Sequence, residues 1–304
     1  MKAVVIKTSN ILPSAHEDTL LNNHQAPVFL NSGFAAVRPA LAPGFARQAS
    51  RVFAPLLLAL LALTANQAAA EIPRSAEGQP DFSGIWQTLG NANDGLEAHG
   101  ARKDAPPGPG IVEGGVIPYQ PWALEQRSKN FAARETADPA TQCFSPGTPR
   151  GVYYPEPLQI FQRDRDLTVL FQSSHRARTI HTNNSLHPEG PIGFWFGDSR
   201  ATWEGDTLVV DVVDFSGDTW LDRAGNFHSE DLHVTERWQL LDENTLQYSA
   251  TLEDPKVYTK PWNISVLLYR HREPGFQLIE NTCYTLDYDQ YYPVPAADQS
   301  TPSS

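Results

Sequence analysis

The chain has 304 residues and a formal net charge of −12, with 23 basic against 35 acidic side chains. Such an acidic protein is a poor match for nucleic acid or anionic lipid, because phosphate groups are bound by clustered Lys and Arg. Small neutral or cationic molecules are more compatible with this charge. We therefore expect no nucleic-acid partner and no stable membrane insertion, and we leave a homodimer open.

Residues 51–70 have the pattern of a secretory signal peptide. The basic residue Arg51 is followed by an apolar run from Val52 to Leu63 and by the small residues Ala68–Ala70. The apolar run is shorter than the roughly 20 residues that span a bilayer, which favours cleavage near Ala70 over an uncleaved anchor. We expect residues 1–70 to be a leader and the mature chain to be periplasmic or secreted.

The two cysteines, Cys143 and Cys283, both lie in the predicted mature chain. An isolated pair in an exported protein usually forms a disulfide. Closing so long a loop would stabilise the fold by about 4 kcal/mol in the chain-entropy model. We expect a Cys143–Cys283 disulfide, and two buried free thiols are the alternative.

The first part of the mature chain, residues 71–154, is predicted to be rich in loops. A first short strand is expected within Asp81–Gln87. A helix is expected over Pro121–Glu135, where Pro stands in the first turn and apolar residues recur at mixed helical spacing. Gly and Pro interrupt the chain on both sides of that helix.

From residue 155 to 292 the pattern changes to strands and turns, and residues 293–304 are predicted to be a disordered tail. The predicted strands are Leu158–Arg163, Leu167–Ser173, Arg176–Thr182, Arg200–Glu204, Thr207–Phe215, Leu232–Leu241, Thr245–Glu253, Trp262–Arg270 and Phe276–Thr285. The strands do not alternate with helices, which argues against a parallel sheet. An all-β, antiparallel up-and-down barrel of about eight to ten strands would hide the sheet edges. A two-sheet sandwich is the alternative.

Short motifs support this fold by resemblance. The SGIW sequence at Ser83–Trp86 resembles the Gly-x-Trp signature of lipocalin and calycin barrels, where the Trp closes one barrel end. The longer motifs PDFSGIW, WEGDTLVVD, TWLDRAG, HSEDLHVTER and DPKVYTKPW are similar to a large group of exported bacterial lipocalin-like proteins, over roughly Pro80 to Tyr284. The resemblance implies a lipocalin-like barrel and the location of a site. It implies no particular reaction.

Candidate chemical groups are concentrated in and just before the stretch from Trp203 to Arg237. Five of the nine histidines lie there: His175, His181, His187, His228 and His233. Titratable groups among apolar strands are typical of functional sites, although structural ion pairs produce the same pattern. An internal salt bridge or hydrogen bond is therefore the alternative role for every residue named below.

The residues present suggest an acid–base set. His233 or His228 is the candidate acid or base, with Asp222 or Glu236 orienting it as the carboxylate does in a catalytic triad. His175 comes directly before the predicted strand that carries Arg178, a candidate binding residue, so His175 is a further candidate for the acid–base set.

The same region supplies candidate binding residues. Arg223 or Arg178 would bind an anionic group, and Trp220 is the aromatic residue most expected to touch a ligand. Asp211 interrupts the apolar run LVVDVVDF. It either lies inside the barrel, where it needs a cationic partner, or faces solvent.

No cofactor is predicted. The sequence HSEDLH at His228–His233 does not match the HExxH zinc motif, and it lacks compact ligand spacing. A Gly-rich nucleotide-binding fingerprint is also missing from the sequence. We expect a cofactor-free lyase, isomerase or hydrolase acting on a small hydrophobic or aromatic molecule. A non-catalytic ligand-binding or carrier protein is the main alternative, and a structural envelope protein with a packed barrel is the third.

Overall fold

The computed structural model describes residues 72–280, and its main element is a closed barrel of nine strands. The strands are β1 (Gly84–Thr88), β2 (Leu158–Arg163), β3 (Asp166–Phe171), β4 (Arg176–His181), β5 (Asp198–Glu204), β6 (Thr207–Val213), β7 (His233–Asp242), β8 (Thr245–Glu253) and β9 (Trp262–Arg270). One α-helix, α1 (Pro121–Ala137), lies in the connection between β1 and β2. Two short 3₁₀ helices, Pro139–Gln142 and Arg150–Tyr153, follow it.

The prediction of an all-β barrel is confirmed, and the sandwich alternative is excluded because the sheet closes on itself. The helix and nine of the ten predicted strands are present, with small differences in their bounds. The tenth strand was predicted over Phe276–Thr285. Residues 276–280 form no strand, and residues 281–285 lie outside the described part of the chain, as do the leader and the tail.

The closure of an odd number of strands has a specific solution here. Strict up-and-down alternation of nine strands would make β1 and β9 parallel where the barrel closes. Instead β4 and β5 pair in parallel, at His181 and Arg200, and every other neighbouring pair is antiparallel. Residues 182–197, which we call the linking segment, therefore return along the barrel between β4 and β5.

The two ends of the barrel differ. The hairpin end carries the tight turns at residues 164–165, 205–206 and 243–244. In the turn between β5 and β6, Gly205 has a φ of 60°, a left-handed conformation that glycine adopts without steric cost. The capped end carries the long connections, residues 89–157, 214–232 and 254–261. Helix α1 packs on the second of these through Asn130, which donates to the Gly225 carbonyl.

Side chains fill the barrel interior. Along β6, Leu208, Val210 and Val212 are buried and alternate with less buried residues, as the period of a strand requires. Trp238 and Tyr248 of the neighbouring strands are also fully buried and meet edge to face. Among residues 72–280, no helix is long and apolar enough to cross a membrane.

Candidate functional site

Two of the predicted site residues meet inside the barrel. The Arg178 guanidinium donates to both Glu236 carboxylate oxygens, at 3.0 and 2.8 Å, and both side chains are almost fully buried. Arg178 also donates to Ser199, while Tyr248 and Trp238 donate to Glu236. Burial, followed by the Glu236 charge, raises the pKa of Tyr248. This network satisfies its members internally, so we assign it a role in holding the core.

Asp222 is also buried, but its partners are backbone and amide groups. It accepts hydrogen bonds from the Leu96 amide at 2.7 Å, the Asn226 amide at 3.1 Å and the Asn226 side chain at 2.5 Å. Burial raises the pKa of Asp222, and these hydrogen bonds oppose that shift. The hydrogen bonds of Asp222 therefore fasten the 214–232 connection to the 89–157 connection, and none of them orients a histidine.

His228 is held in a single tautomer by its neighbours. Its Nδ1 lies 2.8 Å from the Ser229 carbonyl, which can only accept, so Nδ1 carries the proton and Nε2 accepts from the Thr219 hydroxyl at 2.7 Å. The ring is 3% exposed and meets Phe215 edge to face. Burial lowers the pKa of His228. A neutral, enclosed imidazole with both nitrogens bonded is typical of a structural histidine.

The remaining predicted residues are spread over the capped end. Arg223 contacts the Asp94 carboxylate at 3.3 Å, so a ligand carboxylate would have to compete with that contact. Trp220 forms an isolated bridge with Phe227 in the 214–232 connection. His175, with a φ of 48°, borders a cavity of about 270 Å³. The hydrogen bonds of Arg178 go to Ser199 and Glu236 inside the barrel, and none of them joins it to Arg223 or Trp220.

His233 has a partner that the sequence did not reveal. Its Nε2 lies 2.5 Å from Oδ1 of Asp211, in place of Asp222 or Glu236. Asp211 faces outward from β6, which settles the two alternatives for that residue. His187, from the linking segment, approaches the other Asp211 oxygen at 3.0 Å and reaches Asp198 of β5 at 2.6 Å. Arg200 donates to both Asp198 oxygens.

We name these five residues, His187, Asp198, Arg200, Asp211 and His233, the histidine–carboxylate cluster. It lies on the outside of β5, β6 and β7. Burial alone would raise the pKa of Asp198, but hydrogen bonds from Arg200 and His187 outweigh it and lower that pKa. In the same way, bonds from His233 and His187 overcome the effect of burial and lower the pKa of Asp211. Nowhere in residues 72–280 do three or more His, Cys, Asp or Glu side chains form a group that could hold a metal ion.

A cavity of about 410 Å³ lies beside the start of β4. Its lining is Cys143, Phe144, Ser145, Arg176, Ala177, Trp195 and Phe196. Phe144 stacks on Trp195 with ring centroids 5.1 Å apart, and Phe196 stacks on Phe171 with centroids 5.3 Å apart. The predicted catalytic and binding residues lie outside this lining. We call this space of about 410 Å³ the aromatic cavity.

Sequence reasoning missed the aromatic cavity because its aromatic side chains come from connections rather than from strands. Phe144 follows a 3₁₀ helix, and Trp195 and Phe196 lie near the end of the linking segment. Loop residues carry no periodic pattern that predicts which surface they share. Phe196 and Phe171 are 25 residues apart in the chain, so the sequence does not reveal that their rings stack either.

Comparison with known proteins adds no assignment. No family model matches the chain, and no curated protein matches it. The interpretation of the site therefore rests on its geometry.

Proposed function

We propose that the protein binds a small aromatic molecule in the aromatic cavity. Its volume of about 410 Å³ falls in the range of roughly 300–1,000 Å³ that small-molecule sites occupy. The single observation that carries the proposal is the composition of the wall: three aromatic rings and one guanidinium around a concave space. Aromatic walls favour planar ligands because ring contacts bury a large apolar area and add a specific stacking energy.

The polar part of the lining suggests how a ligand would be oriented. Arg176 is the one charged residue in the described lining, and guanidinium groups bind carboxylates or stack on aromatic faces. The Ser145 carbonyl already accepts from the Trp195 indole, so that Trp ring is held in place before any ligand arrives. A ligand with a flat apolar body and an acceptor or carboxylate at one end fits this arrangement.

Calorimetric titration of the purified mature protein tests the proposal. Naphthoate and the uncharged naphthalenemethanol form a matched pair of probes, identical in ring size and different in charge. We expect binding of naphthoate, weaker binding of the alcohol, and a loss of about tenfold in affinity when Trp195→Leu removes one wall ring. The proposal would be contradicted if Trp195→Leu bound each probe as tightly as the wild type does.

The control variant is Trp122→Leu. Trp122 lies on α1, is 53% exposed and is not part of the cavity lining. Its loss removes the same chromophore from a surface position, so the affinity for naphthoate should stay unchanged. Circular dichroism of both variants establishes that the fold is intact.

A second function, acid–base catalysis, is favoured by the pair of His233 and Asp211. A partly exposed imidazole whose Nε2 faces a carboxylate is the arrangement that general bases use. In this scheme Asp211 orients His233, and the candidate reactions remain cofactor-free lyase, isomerase or hydrolase steps. The His233 side chain is 42% exposed, which leaves it accessible to a substrate.

Chromatography with mass detection, applied to naphthyl acetate, whose ester bond water cleaves to naphthol and acetate, and to any retained natural ligand, tests this second function. Conversion that disappears in both His233→Ala and Asp211→Asn supports catalysis at this pair. His181→Ala is the matched control, since His181 is also paired with a carboxylate, Asp166, at 2.6 Å, but at the hairpin end. Conversion that survives loss of His233 would refute the assignment.

We further propose that the protein is exported and carries the Cys143–Cys283 disulfide, as its leader and cysteine count suggest. Cys143 borders the aromatic cavity, and Cys283 lies outside the described residues. Peptide mapping of the secreted protein without reduction, together with its N-terminal sequence, tests the disulfide and the cleavage near Ala70.

A further inference from the structure

We propose that the histidine–carboxylate cluster is a proton-operated clasp that holds the linking segment to the barrel. In its closed state His187 is an imidazolium bonded to two strands at once. Loss of that proton opens the clasp. The clasp does not require a bound ligand, and the linking segment lines the aromatic cavity only near its end, at Trp195 and Phe196.

The geometry around His187 requires two donors. Its Nδ1 lies 2.6 Å from Oδ1 of Asp198 on β5, and its Nε2 lies 3.0 Å from Oδ2 of Asp211 on β6. Ionised carboxylates only accept hydrogen bonds, and a neutral imidazole has one N–H. A neutral His187 would therefore aim a lone pair at a carboxylate oxygen, which is repulsive at this distance. Only the imidazolium donates to both strands.

The neighbouring charges reinforce this requirement. From β5, Arg200 neutralises Asp198 through two hydrogen bonds. From β7, His233 faces the second oxygen of Asp211. Asp211 therefore accepts from two imidazoles. Each imidazole must carry a proton on Nε2, the nitrogen that faces the Asp211 carboxylate.

Two further acidic groups are near the histidines in strand register or in sequence. Glu253 of β8 lies opposite His233 in the register, and Glu189 comes two residues after His187 in the linking segment. When both imidazoles are neutral, Arg200 is the one positive charge among these residues, against four carboxylates. Deprotonation of His187 therefore breaks one hydrogen bond and leaves the carboxylates less well neutralised.

The linking segment depends on these side-chain contacts in its middle. Its backbone is anchored at the start, where the Thr182 amide donates to the Arg165 carbonyl, and near the end, where the Phe194 amide donates to the Asp214 carbonyl. Between these anchors, the side chains of Ser185 and His187 reach β5 and β6. Most of the intervening residues are exposed, with Leu186 at 88%.

Hydrogen–deuterium exchange of the whole mature protein tests the clasp. Exchange of residues 183–193 is measured at about pH 5.5 and about pH 8, which bracket the range in which imidazoles titrate, and is corrected for the intrinsic rate. A charge-assisted hydrogen bond is worth enough to change local opening by about tenfold or more. We expect protection of this segment to fall by that factor at the higher pH.

The His187→Gln variant, which cannot carry the charge, should lack protection at both values of pH. The control is His181→Gln, because His181 is bonded to a single carboxylate, Asp166, and its loss should leave the exchange of residues 183–193 unchanged. Equal protection of wild type at both values of pH overturns the proposal, as does protection that survives in His187→Gln. Zinc retained stoichiometrically by wild type and lost in His187→Gln would also overturn it, since a metal would then replace the proton.

Discussion

The Arg178–Glu236 pair inside the barrel and the histidine–carboxylate cluster outside it show how the alternation of a strand decides the environment of a charged residue. On β7, Glu236 and His233 are three residues apart, and they face opposite sides of the barrel wall. Glu236 meets Arg178 in the core, with five hydrogen bonds shared across that network. His233 meets Asp211 at the surface. The interior side chains are almost fully buried, whereas those of His233 and Asp211 are 42% and 49% exposed.

The largest expected effect concerns the interior pair. Glu236→Leu would leave the Arg178 guanidinium buried without its counterion, and breaking a buried pair in this way costs about 3–5 kcal/mol. Urea unfolding at neutral pH measures the loss. The double variant Arg178→Met/Glu236→Leu should recover part of it, because no unpaired charge remains. A loss below about 1 kcal/mol for the single variant would place the pair with ordinary surface ion pairs.

Asp222 tests whether a buried carboxylate without a direct ion pair behaves like Glu236. Asp222→Ala removes three hydrogen bonds and leaves the buried donors of Leu96 and Asn226 without acceptors. Because an unsatisfied buried donor costs about 1–3 kcal/mol, we expect destabilisation of about 3 kcal/mol in the same unfolding assay. Unchanged stability would show that water replaces the carboxylate and that the site is more open than the structure indicates.

The pH dependence of stability tests the enclosed histidine, His228. Burial lowers the pKa of His228 in the folded protein, so the unfolded chain binds the proton more readily. Stability is therefore lost as pH falls from about 6.5, the usual value for an unfolded histidine, toward the lower folded pKa. Unfolding of wild type and His228→Gln over this range should give a difference that shrinks as pH falls. A difference that grows would reverse the assignment.

The fold was predictable because it depends on local patterns. Alternating apolar residues and turn sequences gave the bounds of β2, β8 and β9. The partner of His233 was not predictable in this way. It depends on the register that aligns Asp211 with Thr235 across the long 214–232 connection, and on the return of the linking segment beside β5. Such non-local alignments are set by packing, which leaves no periodic trace.

The smallest expected effect concerns the outer cluster. Asp211→Asn removes a carboxylate that is 49% exposed, and exposed ion pairs contribute about 0–1 kcal/mol to global stability. We expect a change below about 1 kcal/mol that diminishes further at high salt, because solvent ions screen exposed charges. Urea unfolding at low and high ionic strength measures it.

The same Asp211→Asn variant should still release residues 183–193 in exchange experiments, since local opening of a surface segment does not require the barrel to unfold. The contribution of Asp211 to stability also depends on pH, in the opposite direction to that expected for the clasp. Burial acts to raise the pKa of Asp211, but hydrogen bonds from His233 and His187 outweigh it and lower that pKa. The stabilising contribution of Asp211 is therefore present above the unfolded pKa and is lost as pH falls through the folded one. A global destabilisation as large as that of Glu236→Leu would remove the distinction between the two faces of β7, because the outer cluster would then be part of what holds the barrel together.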